Sequence, residues 1–183
     1  MTGRRTLWLL AALLLAPAAA SAVCVYGTSG NDTIYGTSGN DCIIAQGGHD
    51  IVYGGAGADD IWGDNGWDDI FGEGGTDHLY GGEGIDDIDG GTEADTIESG
   101  TQEDHNYGQS GNDVLLCGPD NDFGYGNGDN DEIYGDTWGT HRGDSLHVHS
   151  GTDYIDGDGS FDWCTNGETV VDCECTEQFY SNC

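Results

Sequence analysis

Residues 26–34 read YGTSGNDTI, 35–43 YGTSGNDCI, 53–61 YGGAGADDI, 62–70 WGDNGWDDI, 71–79 FGEGGTDHL and 80–88 YGGEGIDDI. Stacked on one another they place an aspartate every nine residues, at Asp32, Asp41, Asp50, Asp59, Asp68, Asp77, Asp86, Asp95, Asp104, Asp113, Asp122 and Asp131. Glycines fall five and two residues before the aspartate, and an aliphatic residue falls two after it. Each nonapeptide divides into a glycine-rich six, such as 27–32, and a three-residue piece, such as Thr33-Ile34-Tyr35. The glycines are expected to supply the positive φ of a tight turn. The three-residue piece is expected to alternate outward, inward, outward as a short strand. No window has the 3.6-residue period of a helix. A turn and a strand, repeated, build a solenoid whose units bury their aliphatic residues only against their neighbours. The expected inward column is Ile34, Ile43, Val52, Ile61, Ile70, Leu79, Ile88, Ile97, Leu115 and Ile133.

The first residues differ in kind. Arg4 and Arg5, an apolar run from Leu7 to Leu15 and small residues ending at Ala22 read as a secretory signal peptide, 1–22. The run is too short to span a bilayer. Removal of 1–22 leaves Arg142 as the only strong base against 35 Asp and Glu, a formal charge of −34. Such a surface makes nucleic acid and anionic membrane poor partners. Carboxylates held in a close periodic row repel one another, and a cation between them relieves the repulsion.

The blocks closely resemble the RTX, or haemolysin-type, calcium-binding nonapeptide GGxGxDxUx. The resemblance implies an all-β fold, a parallel β-roll in which two nonapeptides make one 18-residue coil. It further implies that calcium lies between successive turns, held by aspartate side chains and turn carbonyl oxygens. Hard oxygen ligands in flexible geometry suit Ca²⁺ better than Mg²⁺ or a transition metal. On such a coil the aspartates form two rows, and one ion in each gap sets a ceiling of about ten. The expected metal ligands are Asp32, Asp41, Asp50, Asp59, Asp68, Asp77, Asp86, Asp95, Asp113 and Asp131. Asp104 and Asp122 stand apart, because their blocks carry Ser99 and Gln102, and Cys117 and Asp120, in the glycine positions. Asp120 and Asp129 are expected to serve as turn residues in left-handed conformation.

The regular roll is expected over 23–133, followed by degenerate repeats with an insertion over 134–164 and a short cysteine-rich cap over 165–183. Asp131 and Asp144 are thirteen residues apart, four more than the period, which places a bulged loop near Thr137 to Thr140. Weaker blocks follow around Asp153 and Asp162. Exported cysteines oxidise. Cys24 and Cys42 lie one coil apart on neighbouring strands, within reach of a disulfide, and Cys117 is the candidate left over. The pairing of Cys164, Cys173, Cys175 and Cys183 stays open.

Outward aromatics recur at Tyr35, Tyr53, Phe71, Tyr107 and Tyr125 on one sheet and at Trp62, Tyr80 and Tyr134 on the other. They are expected to shield thin strands by stacking, and a sugar-binding or adhesive surface is the alternative. His141, His147 and His149 lack a fixed neighbour to complete a transition-metal site, and Arg142-Gly143-Asp144 is a chance triplet whose aspartate the repeat requires. No convergent set of groups points to catalysis, and no enzymatic activity is expected. The function expected is a secreted calcium-binding roll that folds on binding its ions, with a calcium-stabilised adhesin or carbohydrate-binding protein as the alternative.

Overall fold

The computed structural model describes residues 5–8, 24–135, 144–150, 152–156 and 163–165. Eighteen strands and no helix occur among them. Successive strands alternate between two parallel sheets, so that the chain winds as a solenoid. The first sheet runs Arg5–Trp8, Asp32–Tyr35, Ile51–Ala56, Asp69–Gly74, Asp87–Thr92, His105–Ser110, Phe123–Gly128, Ser145–Ser150 and Trp163–Thr165. The second runs Val25–Tyr26, Cys42–Ile44, Asp60–Gly66, His78–Gly84, Thr96–Thr101, Val114–Leu116, Glu132–Tyr134 and Tyr154–Asp156, with Gly47–Gly48 also paired to Asp60–Gly66. This is a parallel β-roll of the expected kind. Four residues of the stretch read as a leader, Arg5–Trp8, lie in parallel register against Asp32–Tyr35.

The register sets like upon like. On the first sheet Ile34, Val52, Ile70, Ile88, Asn106, Gly124 and Leu146 pair in turn. On the second, Ile43, Ile61, Leu79, Ile97, Leu115, Ile133 and Ile155 do the same. All ten residues of the expected inward column are fully buried, as are Leu146 and Ile155 beyond it. Both sheets therefore run on into the degenerate repeats that follow residue 133. The bulged loop near Thr137 to Thr140 and the cap over 165–183 lie outside the described residues.

Two features correct the reading of the nonapeptide. Many strands run to six or seven residues, because the sheet continues into the glycine-rich part, as in Ile51–Ala56. Along that strand Val52 and Gly54 are both buried, so each unit turns two positions inward, the aliphatic one and the glycine five before the aspartate. That glycine does not supply the positive φ. Positive values fall four and two residues before the aspartate, as at Gly55 (110°) and Gly57 (125°), and several are carried by other residues, including Asp64 (70°) and Glu73 (71°). Asp120 (105°) and Asp129 (77°) take the left-handed turn conformation as expected.

Where the aliphatic column lapses, the interior is repaired by neighbours. Gly124 replaces an aliphatic residue, and a methyl group built there would lie 3.1 Å from Cys117 Sγ and 3.2 Å from Leu146 Cδ2. The Cys117 thiol, buried and free of any disulfide, lies against that position. Asn106 donates from Nδ2 to Ser99 Oγ at 3.0 Å, and Ser99 Oγ donates to the Cys117 carbonyl at 2.7 Å. At the N-terminal end, Cys24 and Cys42 form a disulfide across one coil, with their Cα atoms 4.4 Å apart.

Replacing Ile70 by alanine should cost about 2–5 kcal/mol in the urea unfolding of the calcium-loaded chain, the range for deleting a fully buried aliphatic side chain. Ile85, which is exposed on the turn surface, should tolerate alanine within about 0.5 kcal/mol. Equal losses at the two positions would contradict the assignment of the core.

Candidate metal centre

Each repeat aspartate closes the turn from the strand that enters it to the strand that leaves, and its side chain folds back under the turn. The parallel stacking then places it beside the equivalent aspartate one coil away. Along one edge of the roll the backbone N–H of Asp32 donates to Asp50 Oδ1 at 2.7 Å, and the same bond links Asp50 to Asp68, Asp68 to Asp86, Asp86 to Asp104, and Asp104 to Asp122, each at 2.8 Å. Along the other edge it links Asp41 to Asp59, Asp59 to Asp77, Asp77 to Asp95, Asp95 to Asp113, and Asp113 to Asp131. The two rows drawn from the period are thus two hydrogen-bonded ladders. Each ladder goes one step further, from Asp122 to Asp144 and from Asp131 to Asp153, both at 3.0 Å and both across 22 residues. Asp144 and Asp153 were not among the expected ligands, because four extra residues move them out of register. Their own nine-residue spacing was the signal that could have found them. Asp144 of the Arg-Gly-Asp triplet is fully buried in its ladder.

The second carboxylate oxygen is the informative one. Oδ2 of Asp50, Asp59, Asp68, Asp77, Asp86, Asp95, Asp104, Asp113, Asp122, Asp131 and Asp153 is buried and accepts no hydrogen bond. An acceptor buried without a partner costs free energy that a native structure normally avoids. The first coil differs. Asp32 Oδ2 accepts from Thr28 N and Oγ1 at 2.6 and 2.9 Å, and Asp41 Oδ2 accepts from Thr37 N and Oγ1 at the same distances. Of the ten expected ligands, Asp32 and Asp41 therefore spend on threonine the oxygen that the later aspartates keep open. Asp104 and Asp122, set apart by the sequence, occupy the same position as the rest, buried and in the ladder.

Near the open oxygens of Asp59, Asp68, Asp77, Asp86 and Asp95 is a backbone carbonyl of the next coil. A methyl group built on Gly54 would lie 2.7 Å from Asp59 Oδ2 and 2.8 Å from the carbonyl oxygen of Gly72, one coil on. On Gly63 it would lie 2.7 Å from both Asp68 Oδ2 and the Gly81 carbonyl. Carbon does not fit at such separations, which explains the glycine five residues before the aspartate. Among the described residues no three His, Cys, Asp or Glu side chains converge on one point. The donors that would hold a cation here are carboxylate oxygens and main-chain carbonyls, a set that fits a hard ion with flexible coordination.

Burial disfavours the charged form of these groups. It pushes the carboxyls of Asp59, Asp77, Asp86 and Asp113 up to about 6, those of Asp68 and Asp131 to about 7, those of Asp95 and Asp104 to about 8, and that of Asp122 to about 9. The hydrogen bond from the preceding coil opposes the shift, and nearby carboxylates add to it. Burial likewise pushes the Cys117 thiol well up.

The outer faces carry the aromatic ladders. Tyr35, Tyr53 and Phe71 stack with centroids 5.0 Å apart, Trp62 and Tyr80 stack at 5.2 Å, and Tyr107, Tyr125 and His147 stack at 5.2 and 4.9 Å. Asp89 and Glu98 interrupt the two rows. Within each run the ring faces are turned toward one another, so the runs present ring edges outward. His147 also lies 2.9 Å from Ser145 Oγ, and His141 is outside the described residues.

Comparison with known proteins agrees with this geometry. Residues 26–61, 44–79 and 80–115 match the RTX calcium-binding nonapeptide repeat, a unit of four copies. No curated protein matches the chain. Two ladders of buried aspartates, glycine cradles lined with carbonyl oxygen and the family match over 26–115 agree: this is a calcium-binding repeat protein, and it belongs to the RTX nonapeptide-repeat family.

Proposed function

We propose that the chain is a secreted β-roll that folds as it binds extracellular calcium. The observation that carries this reading is the set of buried Asp Oδ2 atoms with no donor. Each is a charge that the fold removes from water, and the chain has almost no cationic side chain to pair with it. A bound divalent ion supplies that missing charge. The residues that would hold the ions are Asp50, Asp59, Asp68, Asp77, Asp86, Asp95, Asp113 and Asp131, together with turn carbonyls such as those of Gly72 and Gly81. Folding and binding are then one equilibrium, because the unfolded chain has no preformed site. Extracellular calcium is abundant, and the N-terminal signal and the Cys24–Cys42 disulfide suit an exported protein. No reaction is assigned to the chain.

Three outcomes are expected. Circular dichroism of the chain without its leader should move from disordered to β on adding calcium, and titration calorimetry should return several ions per chain. A chain fully folded in chelator, or one that binds no calcium, would sink the proposal.

The second concerns pH in the absence of metal. A carboxyl raised by burial takes its proton more readily in the folded roll than in the unfolded chain. Its contribution to stability is therefore complete below the ordinary carboxylate range near 4 and is lost as pH rises through its folded value. In chelator the β signal should be strongest at acid pH and fall away as pH rises through about 6 to 9. A signal that instead grows with pH would have the wrong sign.

The third uses Asp77→Asn. The amide oxygen still accepts the hydrogen bond from Asp59, while the charge is gone. The substitution should raise the melting temperature in chelator and lower it in calcium. A change of the same direction in both conditions would separate Asp77 from ion binding.

A further inference from the structure

We infer that the first coil, from Cys24 to Ile44, holds its shape without metal and is the template on which calcium winds the rest of the roll. The inference rests on the calcium reading proposed above. Its first support is the turn backbone. In every turn from the one before Asp50 to the one before Asp131, the residues four and two positions before the aspartate both have positive φ, from Gln46 (79°) and Gly48 (136°) to Asn127 (70°) and Asp129 (77°). In the two turns of the first coil neither position does. Both turns read Gly-Thr-Ser-Gly-Asn-Asp, at 27–32 and 36–41, so the residue four before the aspartate is Thr28 or Thr37. A β-branched residue resists the left-handed region, and these two turns close in another way.

The difference decides what meets the carboxylate. The Thr28 backbone N–H and hydroxyl both donate to Asp32 Oδ2, at 2.6 and 2.9 Å, and those of Thr37 donate to Asp41 Oδ2 at the same distances. The Thr37 hydroxyl also accepts from Gly39 N at 3.2 Å. Each turn thus supplies its own carboxylate with donors that the later turns lack, since Oδ2 of every repeat aspartate from Asp50 to Asp131 is buried and accepts no hydrogen bond. Hydrogen bonds to a carboxylate stabilise its charge, and these two turns need no cation to close. The remaining orphan of this coil is Asp32 Oδ1, which is buried without a donor because no repeat precedes it. The strand above it, with Arg5 opposite Asp32, belongs to the stretch read as a leader, whose removal opens that end of the roll to water.

The Cys24–Cys42 disulfide closes the same coil covalently, which restricts the unfolded state. The coil then offers the next one a ready set of partners. The N–H groups of Asp32 and Asp41 donate to Oδ1 of Asp50 and Asp59 at 2.7 Å. Asn31 and Asn40 Oδ1 accept from His49 and Ala58 N at 3.1 and 3.2 Å, and the Gly27 carbonyl accepts from Gln46 Nε2 at 2.7 Å. A solenoid unit gains its stability from the neighbour it stacks on. A first coil that stands before calcium arrives gives the second coil that neighbour, and coils add from the N-terminal end as ions bind.

Amide hydrogen exchange on the oxidised full chain without its leader tests this. In chelator the amides of Thr28 and Thr37 should exchange about tenfold more slowly than in an unstructured chain, while those at the same turn position from Gly55 to Asn127 exchange at the unstructured rate. Pulse labelling after calcium is added should show protection spreading from Cys42–Ile44 toward Tyr154–Asp156. Thr28→Val with Thr37→Val removes both hydroxyls and keeps the branched shape. The pair should lose most of the protection in chelator and raise the calcium midpoint of the β signal about twofold, and Thr28→Ser with Thr37→Ser should restore both. A first coil that exchanges as fast as the rest in chelator, protection that starts at the C-terminal end, or a valine pair that changes nothing would each overturn the inference while the calcium reading stands. A chain that takes up no calcium, or is protected throughout in chelator, would overturn both.

Discussion

A carboxylate oxygen accepting the backbone N–H of the same residue one coil away is the interaction on which this molecule depends. It fixes the stacking distance, since the bond forms only when successive turns lie in register, and it repeats along both edges. It also creates the central difficulty of the fold. Using Oδ1 to tie the coils together carries the rest of the carboxylate into the interior, where Oδ2 finds no donor. The glycine five residues earlier keeps side-chain carbon away from that oxygen, and a neighbouring carbonyl adds a second acceptor. A structure that concentrates acceptors in this way calls for positive charge, so the proposed metal dependence and the architecture have a single cause.

Much of this was legible in the sequence, for a definite reason. A nine-residue period with an aliphatic residue two places after the aspartate leaves one arrangement that buries that column, and Ile34 through Ile133 occupy it. The pairing of Cys24 with Cys42 follows from the same coil length. The role of the first glycine was hidden, because it depends on what the next coil places opposite it, and composition alone suggests a turn. The continuation at Leu146 and Ile155 falls within the degenerate repeats expected over 134–164, displaced by the four added residues. Asp104 and Asp122 illustrate the opposite limit. Their degraded blocks suggested lost positions, yet the ladder retains both, since the backbone bond to Oδ1 does not require the glycine that their blocks lack.

The interior around Asn106 and Gly124 shows how a solenoid absorbs imperfect units. Asn106 and Gly124 interrupt the aliphatic row of the first sheet, and on the adjoining turns Ser99 and Cys117 replace glycine. The two kinds of departure compensate. A missing side chain at 124 is offset by an added one at 117, and the polar group at 106 is partnered by the hydroxyl at 99. Such coupling is local because each coil touches only its neighbours. A double substitution at 117 and 124 is consequently a unit of change, whereas either alone would leave a void or an overlap.

The ladders from Asp122 to Asp144 and from Asp131 to Asp153 span 22 residues where every earlier step spans 18, with no loss of the hydrogen bond. Extra chain between Asp131 and Asp144 leaves the rungs on either side of it in place. The coil length is thus not rigidly tied to the rung, and one edge can take up added sequence while both ladders keep their spacing on either side.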